Sequence, residues 1–229
     1  MNIYITGDTH REFERVEYLC KINKTSKEDI LIILGDAGIN FYLDNSDKKL
    51  KNKLNALPIT LFCIHGNHEA RPSTINTYKT KTFHGGQVFY EEAFPSILFA
   101  IDGEIFDFNN NKCLVIGGAY SIDKYYRLSR GLAWFSDEQP SQEIKEKVEN
   151  VVSREKIDII FSHTAPLKYE PTECFLPGID QSTVDKTTET WLDTIEEKVN
   201  YKKWYCGHYH INKNIDNIKF MFTSIEYIP

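Results

Sequence analysis

Five short apolar runs in this chain each lead, within a few residues that include a Gly or Ser, into Asp, Asn or His. Ile3-Tyr4-Ile5 leads to Gly7-Asp8-Thr9-His10, and Leu31-Ile32-Ile33-Leu34 leads to Gly35-Asp36. Leu61-Phe62-Cys63-Ile64 leads to His65-Gly66-Asn67-His68-Glu69. Ile159-Ile160-Phe161 leads to Ser162-His163, and Trp204-Tyr205-Cys206 to Gly207-His208-Tyr209-His210. An apolar run of this length halted by glycine reads as a buried strand entering a tight turn. Reactive side chains at the ends of all these strands imply one polar cluster along one edge of a sheet.

The intervening segments supply the rest of an α/β pattern. Residues 11–22 carry Phe13, Val16, Leu19 and Cys20 at helical spacing, and 47–56 reads as a second helix. Strands separated by helices pair in parallel, and ligands of open α/β sheets collect beyond the carboxyl ends of such strands. Short strands are expected over 88–90 and 97–100, and a hairpin over 104–116 with Asn109-Asn110-Asn111 at its turn. Residues 117–139 read as an ordered loop rich in aromatic and charged groups. Helices over 141–153 and 183–200 and strands over 157–161 and 203–206 complete the reading, with short strands around a turn at Asp216-Asn217.

Length and composition narrow the class. A chain of 229 residues fits one domain, 1–229. With 27 basic and 33 acidic residues the net charge is −6, which argues against a broad nucleic-acid-coating surface. No apolar stretch has the length of a membrane span. The five cysteines, Cys20, Cys63, Cys113, Cys174 and Cys206, are odd in number and form no CxxC pair, so reduced thiols in a cytoplasmic protein are expected.

Asp8 and His10 stand two apart, as do His208 and His210, so in extended backbone each pair points the same way and can chelate one centre. Carboxylate, imidazole and amide together make an oxygen and nitrogen donor set suited to manganese, iron or zinc.

The order D-x-H, G-D, G-N-H-E, H, G-H-x-H resembles the calcineurin-like metallophosphoesterase superfamily, and the resemblance runs from Asp8 to His210. It implies a four-layer α/β/β/α sandwich of two mixed β-sheets flanked by helices. It also implies two divalent ions, manganese first with iron, zinc or nickel as alternatives. One ion would take Asp8, His10 and His210, Asp36 would bridge, and the other would take Asn67, His163 and His208. The implied activity is hydrolysis of a phosphate ester by direct attack of a metal-bridging hydroxide, with His68 assisting the leaving group and Glu69 supporting from behind. The implied substrate is a small phosphorylated molecule or a nucleotide.

Two features separate this chain from the protein serine/threonine phosphatases of that superfamily. There an Asp follows the bridging residue by three and orients the imidazole, and an Arg grips phosphate. Here Asp36 is followed by Ala37, Gly38 and Ile39. Residues 117–138 instead resemble a subgroup of small bacterial and phage metallophosphoesterases. Within them Tyr120, Arg127 and Arg130 are candidate substrate contacts, as is His84 elsewhere. Their ordinary alternatives are packing for Tyr120, loop anchoring for the arginines (Arg127 pairing with Asp123 or Glu138), and a plain turn for His84-Gly85-Gly86. The Lys48–Lys51 run reads as a solvated helix face, and His65 as a structural residue. Two other activities fit the motifs: a phosphodiesterase for cyclic nucleotides or short nucleic acids, and a non-catalytic binding protein that retains the fold.

Overall fold

In the computed structural model, residues 1–175 and 181–229 are described. The chain runs β1 (Ile3–Thr6), α1 (Glu14–Asn23), β2 (Ile30–Ile33), α2 (Asn45–Ala56), β3 (Thr60–Cys63), β4 (Lys79–Phe83), β5 (Gly86–Tyr90) and β6 (Ile97–Ala100). It continues through β7 (Ile105–Phe108), β8 (Asn111–Ile116), α3 (Lys124–Arg130), α4 (Gln142–Arg154), β9 (Ile159–Ser162) and α5 (Thr187–Glu196). Strands β10 (Lys203–Cys206), β11 (Lys213–Ile215), β12 (Ile218–Phe220) and β13 (Ile225–Ile228) finish it.

Alternation along the strands decides which side chains meet. Ile3, Ile5, Ile32, Leu34, Phe62 and Ile64 face Phe106, Phe108, Cys113, Val115 and Phe161 in a core between two sheets. The residues one step out of phase face helices. Leu31, Ile33, Leu61 and Cys63 pack on Val16, Leu19 and Leu54 of α1 and α2, and Leu114, Ile116 and Ile160 pack on Val148, Val152, Trp191, Leu192 and Ile195 of α4 and α5. The result is an α/β/β/α sandwich. At roughly 25 cal/mol per Å² of apolar area, burial on both faces makes the central strands the main source of stability.

One sheet has the order β13-β1-β2-β3-β6-β5-β4, the other β11-β12-β10-β9-β8-β7. Strands β1, β2, β3 and β6 are mutually parallel, as are β8, β9, β10 and β12, while β13, β5, β4, β11 and β7 pair antiparallel. Both sheets are therefore mixed. No helix among the described residues is long and apolar enough to cross a membrane.

Three local readings of the sequence are corrected. Residues 124–130 form α3 rather than loop; its apolar side chains Tyr125, Tyr126 and Leu128 are exposed and Arg127 is its buried residue, so no apolar stripe announces it. The last helix is shorter than 183–200, because the Asp185 carboxylate accepts the Thr187 N–H (2.9 Å) and turns the chain at that point. Lys51 is not on a solvated face: it is buried against Glu91 and Tyr78.

Candidate metal centre

Parallel pairing sets the C-terminal ends of β1, β2 and β3 side by side, and those of β9 and β10 likewise. Asp8, Asp36 and Asn67 follow the first three strands within a few residues; His163 and His208 follow the other two. The structure gathers all of them.

Asp8, His10 and His210 bring one ligand atom each within 4.8 Å of one another. His10 Nε2 and His210 Nε2 are 2.8 Å apart. Asp8 is buried; its Oδ1 accepts the His208 N–H at 2.9 Å, while Oδ2 accepts no hydrogen bond among the described residues and lies 3.2 Å from His210 Nε2. Burial opposes ionisation of Asp8, but His210 and His163 outweigh it and hold the carboxyl below its ordinary range. Asp8 in turn raises His210.

Asp36 belongs to two further groups, one with Asp8 and His163 and one with His10 and His68. Its Oδ1 accepts the His68 backbone N–H at 2.7 Å, and its Oδ2 lies 3.6 Å from His163 Nε2. His163 is fully buried, and its Nδ1–H donates to the Leu34 carbonyl at 2.7 Å, which leaves Nε2 as the ring nitrogen a metal would take in place of a proton. That Nε2 is 2.8 Å from Asn67 Oδ1. The Asn67 amide is oriented from the other end, where Nδ2 donates to Ser121 Oγ at 2.9 Å. The His208 ring lies with its centroid 5.0 Å from that of His163. Burial would lower His163, yet Asp36 and Asp8 push it up to about 9; burial and His163 together push His208 down to about 3.

The backbone is strained where the candidate ligands sit. His10, Asp36, His208 and His210 all have positive φ (43°, 47°, 66° and 52°). Such conformations cost a side-chain-bearing residue about 1–2 kcal/mol each, a cost carried by the rigid strands they follow. Glycine is required at two close approaches. A Cβ on Gly35, whose φ is +96°, would overlap His163 Nδ1, and a Cβ on Gly66 would overlap Asp36.

His68 is held by a residue from elsewhere in the chain. Arg127 is 4% exposed, and its Nη2 lies against His68 Nδ1 and 2.7 Å from Nε2. Arg127 Nε donates to Asp123 Oδ2 at 2.8 Å, and Nη1 to the Ala133 carbonyl at 3.3 Å. Burial lowers His68, Arg127 adds to that, and Asp36 opposes it, with a net downward shift. Glu69, fully buried, accepts the N–H groups of Ala37 and Ile39 at 3.2 Å each and so clamps the loop after Asp36. Burial and Asp36 push its carboxyl up to about 8.

A cavity of about 440 Å³ opens beside these groups, lined among others by Asp36, His68, His208, Tyr120 and Asp123. Tyr120 thus faces the site. Arg130 stacks its guanidinium over Tyr126, 5.7 Å from the ring centroid, and His84 packs on Phe83 and Phe108 with Nδ1 3.2 Å from the Asp107 carbonyl; neither lines the cavity. Trp134 and the backbone of Ser121 are tied to Glu138 at 2.8 and 3.2 Å, which fixes the loop carrying Ser121. Cys174 is exposed and the other four cysteines are buried. Sequence reasoning missed Ser121 and Arg15, whose Nη2 donates to the Asp8 carbonyl at 2.6 Å; no local pattern marks either.

The donor set fits divalent cations. Candidate ligand atoms lie across short gaps from one another at His10–His210 and at His163–Asn67, and the buried Asp8 Oδ2 lacks a hydrogen bond among the described residues. The buried carboxylates of Asp36 and Asp8 push His163 upward against the effect of its burial, the direction expected where positive charge is favoured. Imidazole, carboxylate and amide oxygen are ligands of first-row divalent metals.

Fold and site together define a protein with His/Asp clusters, built on the buried Asp8, Asp36 and His163, at the strand ends of a two-sheet sandwich. The calcineurin-like phosphoesterase family model matches residues 1–212, and the chain belongs to that family. The crystal structure of TT1561 of Thermus thermophilus superposes with a TM-score of 0.53 at 10% identity, covering 99% of this chain and 97% of that one. A second crystal structure gives a TM-score of 0.51 at 10% identity, covering 96% and 89%. At that identity they speak to the fold alone. No curated protein matches the sequence significantly.

Proposed function

We propose that this chain is a dinuclear metal-dependent phosphoesterase, acting as one domain on a small phosphate ester. The observation that carries the reading is the shared position of Asp36, which belongs to two of the three His/Asp groups, one with His10 and His68 and one with Asp8 and His163. In this reading Asp8, His10 and His210 hold one ion, Asn67, His163 and His208 hold the other, and Asp36 serves both. Bound divalent ions supply a water of lowered pKa as nucleophile and offset charge on the phosphate oxygens.

The chain's own groups do the rest. Ser121 turns the Asn67 amide so that its oxygen faces His163. Glu69 and the positive-φ turn at Asp36 fix the shared carboxylate. Arg127, which can only donate, lies against the His68 ring and favours its neutral form, which would hydrogen-bond to the departing oxygen. Manganese is the first metal to test, with iron, zinc and nickel beside it.

The test is metal analysis of the purified protein followed by assay of a phosphomonoester, a phosphodiester and 2′,3′- and 3′,5′-cyclic nucleotides with each metal. About two metal ions per chain and hydrolysis of at least one ester class are expected. Stoichiometric metal with no hydrolysis of any ester would favour the non-catalytic binding reading.

A further inference from the structure

Helix α3 is built inside out. Its one buried residue is Arg127, which reaches His68 and Asp123, while Tyr125, Tyr126 and Leu128 are exposed. At about 100° per residue those three fall on the side away from Arg127, with Lys124 and Arg130 at its two borders. Ile122 just before the helix and Leu132 just after it are exposed as well, and each of the five apolar residues is between 50% and 71% exposed. They are five of the eleven large apolar side chains left exposed among the described residues, and they fall within eleven positions of sequence. Single exposed apolar residues are ordinary, but a cluster turned outward by a buried arginine marks an interaction surface.

The cluster lies at the candidate site. Ile122 and Asp123 line the cavity that Asp36, His68 and His208 also line. The Phe41 ring packs 6.4 Å from that of Phe135, which brings the loop of the exposed Tyr42 and Leu43 against the segment that follows α3.

Its charge runs against that of the whole chain. The protein carries −6, yet residues 122–132 hold Lys124, Arg127 and Arg130 against Asp123 alone, and Asp123 pairs with the buried Arg127. Lys124 and Arg130 are the surplus, and each lies over an aromatic ring, 4.3 Å from the Trp134 centroid and 5.7 Å from that of Tyr126. Aliphatic side chains bordered by cations and tyrosines match a surface that is anionic outside and hydrocarbon within. A nucleic acid would suit the cations and the rings but would leave Ile122, Leu128 and Leu132 against phosphate and water. A second copy on a two-fold axis would set one basic patch against another.

We infer that the α3 face docks on an anionic lipid surface, with Ile122, Tyr125, Leu128 and Leu132 entering the headgroup region and Lys124 and Arg130 meeting lipid phosphates. Docking this way turns the mouth of the cavity toward the membrane. It does not depend on the phosphoesterase reading.

The test is co-sedimentation of the purified protein with vesicles of phosphatidylcholine alone and of phosphatidylcholine with phosphatidylglycerol in equal parts. Binding should be at least about 10-fold tighter to the mixed vesicles and should weaken with salt. Two double variants separate the contributions: Tyr125→Ser with Leu128→Ser, and Lys124→Gln with Arg130→Gln. Each should weaken binding to mixed vesicles by about 10-fold or more with the melting temperature unchanged, because all four side chains lie at the helix surface. No binding of the wild-type protein to mixed vesicles overturns the inference, as does full binding by the Tyr125→Ser, Leu128→Ser variant. Two further results overturn it in favour of another occupant when vesicles are not bound: binding of an oligothymidylate that the Lys124→Gln, Arg130→Gln variant loses, or a dimer in sedimentation that the Tyr125→Ser, Leu128→Ser variant loses. If one variant does not fold, the wild-type protein and the other variant decide.

Discussion

A guanidinium nitrogen of Arg127 lies 2.7 Å from Nε2 of His68, across 59 residues of chain, and Asp123 holds that guanidinium from behind. The superfamily's protein phosphatases put a carboxylate beside the equivalent imidazole; in this chain a cation stands there. The difference matters chemically, because Arg127 can only donate and so favours neutral over protonated His68.

Arg127→Ala should lower kcat by about 10- to 100-fold while two metals remain bound, because His68 loses the partner that orients it. The loss should be similar for all substrates with poor leaving groups and smaller for good ones. Lysine should not rescue, since it cannot keep the fork to Asp123 and His68 together. Combined with His68→Ala, the effect should be far from additive. A rise in KM alone, with kcat intact, would instead make Arg127 a substrate contact.

Asp36→Asn tests the shared ligand. It removes charge from the position common to two of the His/Asp groups, so metal content measured on the purified variant should fall along with activity. Full occupancy with near-normal turnover would show that Asp36 is not shared.

Ser121→Ala frees the Asn67 amide to rotate. Loss of such an outer partner weakens metal affinity by about 10- to 100-fold. Metal titration should show one ion weakened and the other little changed. If both affinities stay at the wild-type level, Asn67 is oriented by something other than Ser121.

The metal-free protein should lose stability as pH rises. Burial lowers His163 but Asp36 and Asp8 raise it to about 9, so the folded chain holds a proton that the unfolded chain releases near 6.5. The stabilisation is complete below pH 6.5 and is lost as pH climbs through 9. Glu69, raised to about 8 by burial and Asp36, acts in the same direction, its stabilisation present below its unfolded value and lost as pH passes 8. Metal at His163 Nε2 replaces that proton. Thermal melts at pH 6 and pH 9 should therefore diverge after chelation and converge with metal present. Parallel behaviour with and without metal would place the ion elsewhere.

Much of this protein was readable before folding because the relevant signals are local. Apolar runs of four or so residues halted by Gly35, Gly66 or Gly207 mark strand ends, and the Asp, Asn and His that follow within two or three residues are carried wherever the strand ends go. Those runs are apolar at successive positions, which marks β1, β2 and β3 as strands buried on both faces. Residues 124–130 escaped because one buried arginine, not an apolar stripe, holds the helix down. Arg127 against His68, Ser121 against Asn67 and Glu189 against Thr164 join positions 59, 54 and 25 residues apart. Periodicity has no bearing on such pairs, since each depends on how two separately formed elements are packed. The sequence thus specified which side chains stand at the strand ends, and only the docking of the two sheets and their loops decided what touches them.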